Sequence, residues 1–102
     1  SRQAHWRYRP EGQPFFCVLN YMDTHQSRAS RDSYAKFQSE VQARLAPDEI
    51  HDPARAPLPP CYPETAVARR TVARYYDCIT TLDHFVAQTL EELVQAGLAN
   101  DT

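Results

Sequence analysis

The sequence predicts an α/β fold, and two features carry that prediction. Residues 14–22, Pro-Phe-Phe-Cys-Val-Leu-Asn-Tyr-Met, are apolar at almost every successive position, which is typical of a β-strand covered on both faces of its sheet. Two stretches with helical spacing follow, and a proline-rich segment separates them. Because a strand followed by helices is the first part of a βαβ unit, we expect helical layers around a sheet.

The composition is that of one ordinary domain, with 102 residues of which 42% are hydrophobic. The formal net charge of -2 gives no electrostatic reason to bind nucleic acid or an anionic membrane. No stretch is long and apolar enough to span a bilayer. We therefore expect neither nucleic acid nor a membrane among the partners.

The predicted strand finds no partner strand elsewhere in the sequence. Its backbone donors and acceptors need neighbouring strands, because an isolated strand is not stable in water. We therefore expect the chain to be an internal segment of a larger α/β domain. In this division of the chain, residues 1–13 are a polar lead-in and residues 98–102 are a turn.

A polar loop over residues 23–32 follows the predicted strand. In open α/β sheets, ligands bind beyond the carboxyl ends of the strands, so this loop is the candidate active-site loop. His25 is the candidate catalytic residue, and Asp23 either orients its imidazole or lines the pocket as a substrate-binding residue. The structural alternative is a loop histidine hydrogen-bonded to the backbone. Arg28 and Arg31 are close enough in sequence to contact an anion, although loop arginines are usually solvated.

A short amphipathic helix is predicted over residues 33–45, with Ser33 as its N-cap. Residues 46–64 contain six of the eight prolines. This density excludes a helix or a central strand and predicts an extended connector. An SH3-type ligand is the alternative reading of the prolines, but the apolar residues among them favour a connector that packs on the domain.

The longest predicted element is a helix over residues 65–97. Thr65 is its expected N-cap, and Gly97 is placed to end it in a Schellman motif. Three ionisable side chains on this helix have no second ligand at a matching spacing, so we expect flank or surface positions for Asp77, Asp83 and His84. The apolar stripe steps by three and four through Ala68, Val72, Tyr75, Ile79, Leu82, Val86, Leu90 and Leu93.

The three cysteines, Cys17, Cys61 and Cys78, are widely spaced and form no Cys-x-x-Cys motif. The sequence therefore predicts neither a disulfide framework nor a metal cluster. Cys17 and Cys78 lie within apolar patterns and are expected to be small buried side chains.

Four stretches, in this order, resemble sequences of the sulfatase family. The first is PFFxVLNYMDTH over residues 14–25, and the second is LPPxYPET over residues 58–65. The third is RYYDxIxxLD over residues 74–83, and the fourth is LxxxGLxNDT over residues 93–102. The similarity is to the branch that includes heparan N-sulfatase, also called sulfamidase, within the alkaline phosphatase superfamily.

This resemblance implies a fragment of an alkaline-phosphatase-like α/β/α sandwich. It also implies hydrolysis of a sulfate ester or sulfamate, with a sulfated small molecule or saccharide as substrate. In that family a cysteine converted to formylglycine is the nucleophile, and calcium binds the sulfate oxygens. His25 matches the histidine that contacts the sulfate and the leaving group. Calcium and formylglycine are expected in the complete protein and not from this chain, so the segment alone is expected to be inactive.

One departure from the family pattern concerns the nucleophile. Cys61-Tyr-Pro63 matches the start of the formylglycine motif C-x-P-S-R, but Glu64 and Thr65 follow where the motif has Ser or Ala and then Arg. We therefore expect neither nucleophile nor metal ligand within this chain.

Two alternatives stand beside the sulfatase interpretation. Phosphodiesterases and phosphonate hydrolases belong to the same superfamily and share its fold. A non-catalytic helical interaction module would instead bind a partner through the long helix or the proline-rich segment. Under the sulfatase interpretation, the remainder of the sulfatase domain is itself a partner of this chain. Relatives are often exported, but the sequence leaves the compartment open.

Overall fold

The structure of the protein, a computed structural model, describes residues 5–102. Its α-helices are α1 (Gln26–Ser30), α2 (Tyr34–Glu40) and α3 (Ala66–Gln95). Single 3₁₀ turns lie at Trp6–Tyr8, Gln42–Arg44, Pro47–Glu49 and Ala99–Asp101. At about 1.5 Å per residue, α3 is about 45 Å long and defines the long axis of a chain measuring 54 × 27 × 25 Å. No helix in the described part has the length and hydropathy of a membrane span.

The ends of α3 match the sequence prediction. At its start, the Thr65 hydroxyl accepts a hydrogen bond from the Ala68 N–H at 3.1 Å. At its end, Gly97 adopts φ = 68°, and the Leu98 N–H donates to the carbonyl of Leu93 at 2.9 Å. This bond is the six-to-one bond of a Schellman motif, and only a residue that tolerates a positive φ makes it without strain.

The first predicted helix is shorter than the sequence indicates. Ser33 caps it through a hydrogen bond from the Lys36 N–H at 3.3 Å, as predicted. The α-helix then ends after Glu40 and not at residue 45, and Val41, with φ of -117° and ψ of -66°, is both its C-cap and the N-cap of the next turn. A 3₁₀ turn continues from there and brings Leu45 into the core.

The core of the described chain is small. Phe37 and Val41 meet Cys78 of α3 in one fully buried cluster. Beside it, α1 packs on α3, and Ala29 of α1 is buried. The predicted burial of Cys78 is confirmed, and desolvation raises the pKa of its thiol to about 11.

The predicted strand over residues 14–22 is absent, and this corrects the sequence interpretation for the described chain. The segment has no regular secondary structure, and its apolar side chains are exposed, including 93% of Phe16 and 64% of Val18. Cys17 is exposed as well, so its predicted burial is wrong in this structure. The physical reason is that a strand needs a hydrogen-bonded neighbour, and nothing within residues 5–102 pairs with this segment.

The lead-in folds back on the chain. Trp6 is buried and stacks on Phe15, with 6.3 Å between the ring centroids, and the guanidinium of Arg9 lies 5.1 Å from the Phe15 ring. Arg7 pairs with Glu92 of α3 at 3.4 Å. The part of the predicted lead-in before residue 5 lies outside the described residues.

Asp77 departs from its predicted position at the flank or surface of the long helix. Its carboxylate is only 1% exposed and accepts hydrogen bonds from the backbone N–H of His51 at 2.8 Å and from the amide of Gln42 at 2.9 Å. The ring Nδ1 of His51 lies 3.0 Å from the same carboxylate. Asp77 therefore joins the proline-rich connector and the turn after α2 to α3, whereas Asp83 and His84 are exposed as predicted.

Replacing Asp77 tests this connection. We expect Asp77→Ala to lower the free energy of unfolding by about 2 kcal/mol, because it leaves half-buried donors on His51 and Gln42 without their acceptor. Asp83→Ala, on the exposed side of the same helix, is the matched control and should change it by less than about 0.5 kcal/mol. Urea unfolding of the protein that contains this chain measures both, and equal effects would contradict the assignment.

Candidate functional site

His25 is held by hydrogen bonds on both sides of its backbone. Its N–H donates to the carbonyl of Met22 at 3.1 Å, which closes a turn. Its carbonyl accepts from the N–H of Arg28 at 2.9 Å, which is the first bond of α1. Because both backbone groups are engaged, the position of the His25 side chain is set by the turn and by α1 together.

The imidazole of His25 is the N-cap of α1. Its Nδ1 accepts from the backbone N–H of Ser27 at 3.3 Å and lies 2.9 Å from the Ser27 hydroxyl. An amide N–H only donates, so Nδ1 carries a lone pair and the neutral ring carries its proton on Nε2. Nδ1 is therefore hydrogen-bonded to the backbone, as in the structural alternative for a loop histidine. Nε2 is a hydrogen-bond donor that belongs to an exposed side chain.

Asp23 is buried and bound by two guanidinium groups. Arg44 donates a short hydrogen bond to Oδ2, and the Nε of Arg28 lies 3.7 Å from Oδ1. The structure thus gives the orientation of the His25 ring to Ser27 and not to Asp23, which corrects one of the two predicted roles of Asp23. Contact of Asp23 with a substrate stays a prediction.

Arg44 and Tyr21 are site residues that sequence reasoning missed. Arg44 donates a second hydrogen bond to the Tyr21 hydroxyl at 3.1 Å, and that hydroxyl donates to the carbonyl of Thr81 in α3 at 3.1 Å. Arg44 lies 21 residues from Asp23, so no local pattern connects them. The Asp23 cluster, defined here as Asp23, Arg28, Arg44 and Tyr21, therefore joins the His25 loop to two other elements.

The protonation states of the cluster suit these bonds. Partial burial by itself lowers the pKa of Arg44, but the hydrogen bond and charge of Asp23 outweigh it and raise the pKa above its ordinary value. Desolvation and the Asp23 carboxylate raise the pKa of Tyr21. Arg44 therefore stays charged and Tyr21 stays a hydroxyl donor across the neutral range.

Arg28 does not face an external anion, as the sequence had suggested it could. Besides Asp23, it pairs with Asp32 at 3.2 Å and forms a short bond with Glu40. A hydrogen bond from Lys36 lowers the pKa of the Asp32 carboxyl, and Arg28 adds to the effect. Arg28 is thus a structural partner of carboxylates. Arg31 is exposed at the end of α1.

A cleft of about 500 Å³ lies beside His25. Thr24 and Gln26, which flank the histidine, form part of one wall. The other walls come from α1, α3 and the proline-rich connector, with Pro59, Tyr62, Tyr75 and Tyr76 among the lining residues. The residues on both sides of His25 in the sequence therefore line a concave and largely apolar surface of ligand size.

The residues of the described chain do not fit a calcium site. Within residues 5–102, no group of three or more His, Cys, Asp or Glu side chains is arranged to hold a metal ion. Asp23 and Asp32, the acids nearest His25 in sequence, are already neutralised by Arg28 and its neighbours. Cys61 is exposed on the connector, and Glu64 pairs with Arg69.

The hydrogen bonds of His25 and His51 predict opposite tautomers for the two rings. In neutral His25, Nδ1 accepts from Ser27, so Nε2 should carry the proton. In neutral His51, Nδ1 faces the carboxylate of Asp77 at 3.0 Å, so Nδ1 should carry it. Nitrogen-15 NMR of histidine-labelled protein distinguishes the two forms, and His51 is the internal reference. A protonated Nδ1 on neutral His25 would contradict the capping role.

Comparisons with known proteins show the family to which this chain is similar. The sequence profile of the family described as Sulfatase matches residues 4–102. An ulvan-active sulfatase of Formosa agariphila is 28% identical over an alignment 125 residues long, which covers 100% of this chain and 21% of the relative. The N-sulphoglucosamine sulphohydrolase of Homo sapiens is 30% identical over 100 residues, covering 90% of this chain and 20% of the relative.

The chain thus spans about a fifth of the length of these curated relatives. No solved structure gives a significant match. The family profile nevertheless covers nearly every residue, including the turn that presents His25 and the whole of α3. The chain belongs to the sulfatase family.

Proposed function

We propose that this chain is part of a sulfatase that hydrolyses the sulfate ester or sulfamate of a sulfated saccharide, and that His25 contacts the sulfate and the leaving group. The supporting observation is the His25 ring itself, which accepts a hydrogen bond from Ser27 on one nitrogen and belongs to an exposed side chain, between two residues, Thr24 and Gln26, that line a cleft. The names of the relatives, an ulvan-active sulfatase and an N-sulphoglucosamine sulphohydrolase, support a saccharide substrate.

The chemistry of His25 follows from its two nitrogens. A sulfuryl group in transfer carries dispersed negative charge, which the Nε2–H donor stabilises. In the imidazolium form, the Nδ1–H donates to the Ser27 hydroxyl 2.9 Å away, because that oxygen also accepts hydrogen bonds. Nε2 then passes its proton to the departing oxygen or nitrogen, which leaves a neutral ring with its remaining proton on Nδ1. Exchange with water, which returns a proton to Nε2 and removes the one on Nδ1, restores the form that accepts from the Ser27 N–H.

The other catalytic groups belong to the rest of the proposed enzyme. A formylglycine nucleophile and a calcium ion are properties that the family resemblance implies. The described residues provide neither of them. Asp23 and Asp32 pair with basic side chains, and the sequence after Cys61 differs from the formylglycine motif C-x-P-S-R. We therefore expect this chain, when separated from the remainder of the domain, to show no sulfatase activity.

The exposed apolar surfaces support an α/β/α sandwich in the complete protein. Residues 14–22 have the composition of a covered strand, and strands elsewhere in the domain would satisfy their backbone groups. Ile79, Val86 and Leu90 are exposed apolar residues along α3, and a sheet packed on α3 would cover them. The same exposed face would serve a helical interaction module, but the family match favours the sandwich.

The role of His25 is tested in the full-length protein. We expect His25→Ala to lower kcat on a sulfated saccharide by about 100- to 10,000-fold, because a positioned proton donor is lost. His84→Ala is the matched control, since His84 is exposed on α3 and pairs only with Glu49 in the described chain. Full activity of the His25 variant would remove the proposal.

The reaction class is decided by comparing sulfate and phosphate esters as substrates of the same protein. Preference for the sulfate ester supports a sulfatase. Preference for the phosphate ester would instead support a phosphodiesterase or phosphonate hydrolase of this superfamily.

The proposed strand is tested by cysteine alkylation of the native full-length protein. Cys61 is exposed and should react with iodoacetamide, whereas Cys78 should not, since it is buried and its thiol has a pKa of about 11. If residues 14–22 form a covered strand, Cys17 should be protected like Cys78. Mass spectrometry that finds Cys17 as reactive as Cys61 would contradict the covered strand.

A further inference from the structure

We infer that Arg44 is a positioning residue for His25, acting through the buried carboxylate of Asp23. This inference rests on the proposed role of His25. The juxtaposition that carries it is a hydrogen bond from Arg44 to a carboxylate two residues before the histidine, across 21 positions of sequence.

Asp23 and His25 are connected by a short stretch of backbone. Only Thr24 separates them, and the turn closed by the His25 N–H and the Met22 carbonyl spans all three residues. The Asp23 side chain is 11% exposed. A displacement of this carboxylate therefore moves the turn, and the imidazole moves with it.

Arg44 is held in place by its backbone neighbours and by Tyr21. It lies in the 3₁₀ turn Gln42–Arg44, between the buried side chains of Val41 and Leu45. Its other hydrogen bond goes to Tyr21, which is itself bonded to Thr81 of α3. Arg44 thus links the His25 turn to the core and to the long helix at once.

The two arginines that bind Asp23 differ in their other partners and in the elements that carry them. Arg28 forms ion pairs with three carboxylates, those of Asp23, Asp32 and Glu40. It lies on α1, the helix that His25 caps. Within residues 5–102, Asp23 is the one carboxylate that pairs with Arg44, and Arg44 belongs to a separate element. Without Arg44, Asp23 would be a buried and poorly compensated anion, which becomes favourable only if it moves towards water. The turn that carries His25 would then move as well.

The experiment uses the full-length protein and a series of sulfate monoesters of phenols with good and poor leaving groups. We expect Arg44→Gln to lower kcat by about 10- to 100-fold, because a displacement of about 1 Å at a reacting group has an effect of this size. KM should change by less than about threefold, since the proposed sulfate ligands outside this chain are untouched. The loss should be largest for poor leaving groups, which depend most on proton donation.

A double-mutant cycle with His25→Ala separates positioning from general structural damage. If Arg44 acts through His25, Arg44→Gln should cause no further loss of kcat in the His25→Ala background. Arg55→Gln, at an exposed arginine of the connector, is the matched control and should leave kcat unchanged. Arg44→Lys keeps a positive charge beside the Asp23 carboxylate and should recover part of the activity. The same variant serves as a folded protein for comparison if Arg44→Gln does not fold.

Each result decides between the two claims. A loss of kcat from Arg44→Gln that is equal with and without His25 would overturn the positioning role, and so would an unchanged kcat. Both outcomes leave the proposed function intact as long as His25→Ala shows its expected loss of kcat. Full activity of His25→Ala would instead refute the proposed function before the role of Arg44 is reached.

Discussion

The buried carboxylate of Asp23 is the constraint on which the arrangement around His25 depends. An ionised carboxylate with so little exposure is stable only if charged donors surround it. The chain supplies Arg28 from the helix that follows and Arg44 from a distant turn. Because these donors belong to different elements, satisfying one carboxylate also fixes the polar loop against the helices.

A second buried carboxylate, Asp77, does the same for the connector. The proline-rich segment forms few backbone hydrogen bonds of its own, and the acceptor for the His51 N–H comes from α3. The apolar core centred on Phe37 is small, so these two carboxylates provide much of the long-range definition of the fold. Large apolar side chains that stay exposed, such as Phe16 and Leu90, form surface that further layers of a domain would cover.

The parts of the fold that sequence analysis predicted correctly depend on neighbouring residues. The caps at Ser33 and Thr65 and the Schellman motif at Gly97 involve side-chain and backbone groups within about one turn of helix. The strand over residues 14–22 was not found because a strand depends on a partner that is distant in sequence. The same pattern of apolar residues therefore gives an exposed segment in this chain and is compatible with a covered strand in a larger domain.

The sequence by itself determined where α2 begins and where α3 begins and ends, and it singled out His25 at the change from apolar to polar residues. It did not predict α1, which lies within the predicted loop over residues 23–32, or the early end of α2. Even the cap on the His25 ring is local, since Ser27 is only two residues away. Only the tertiary structure decided that Asp23 binds Arg44 and not His25, and that Asp77 is buried under the connector. The reason is that a buried charge takes its partner from whichever element packs nearest, and sequence separation carries no record of that distance.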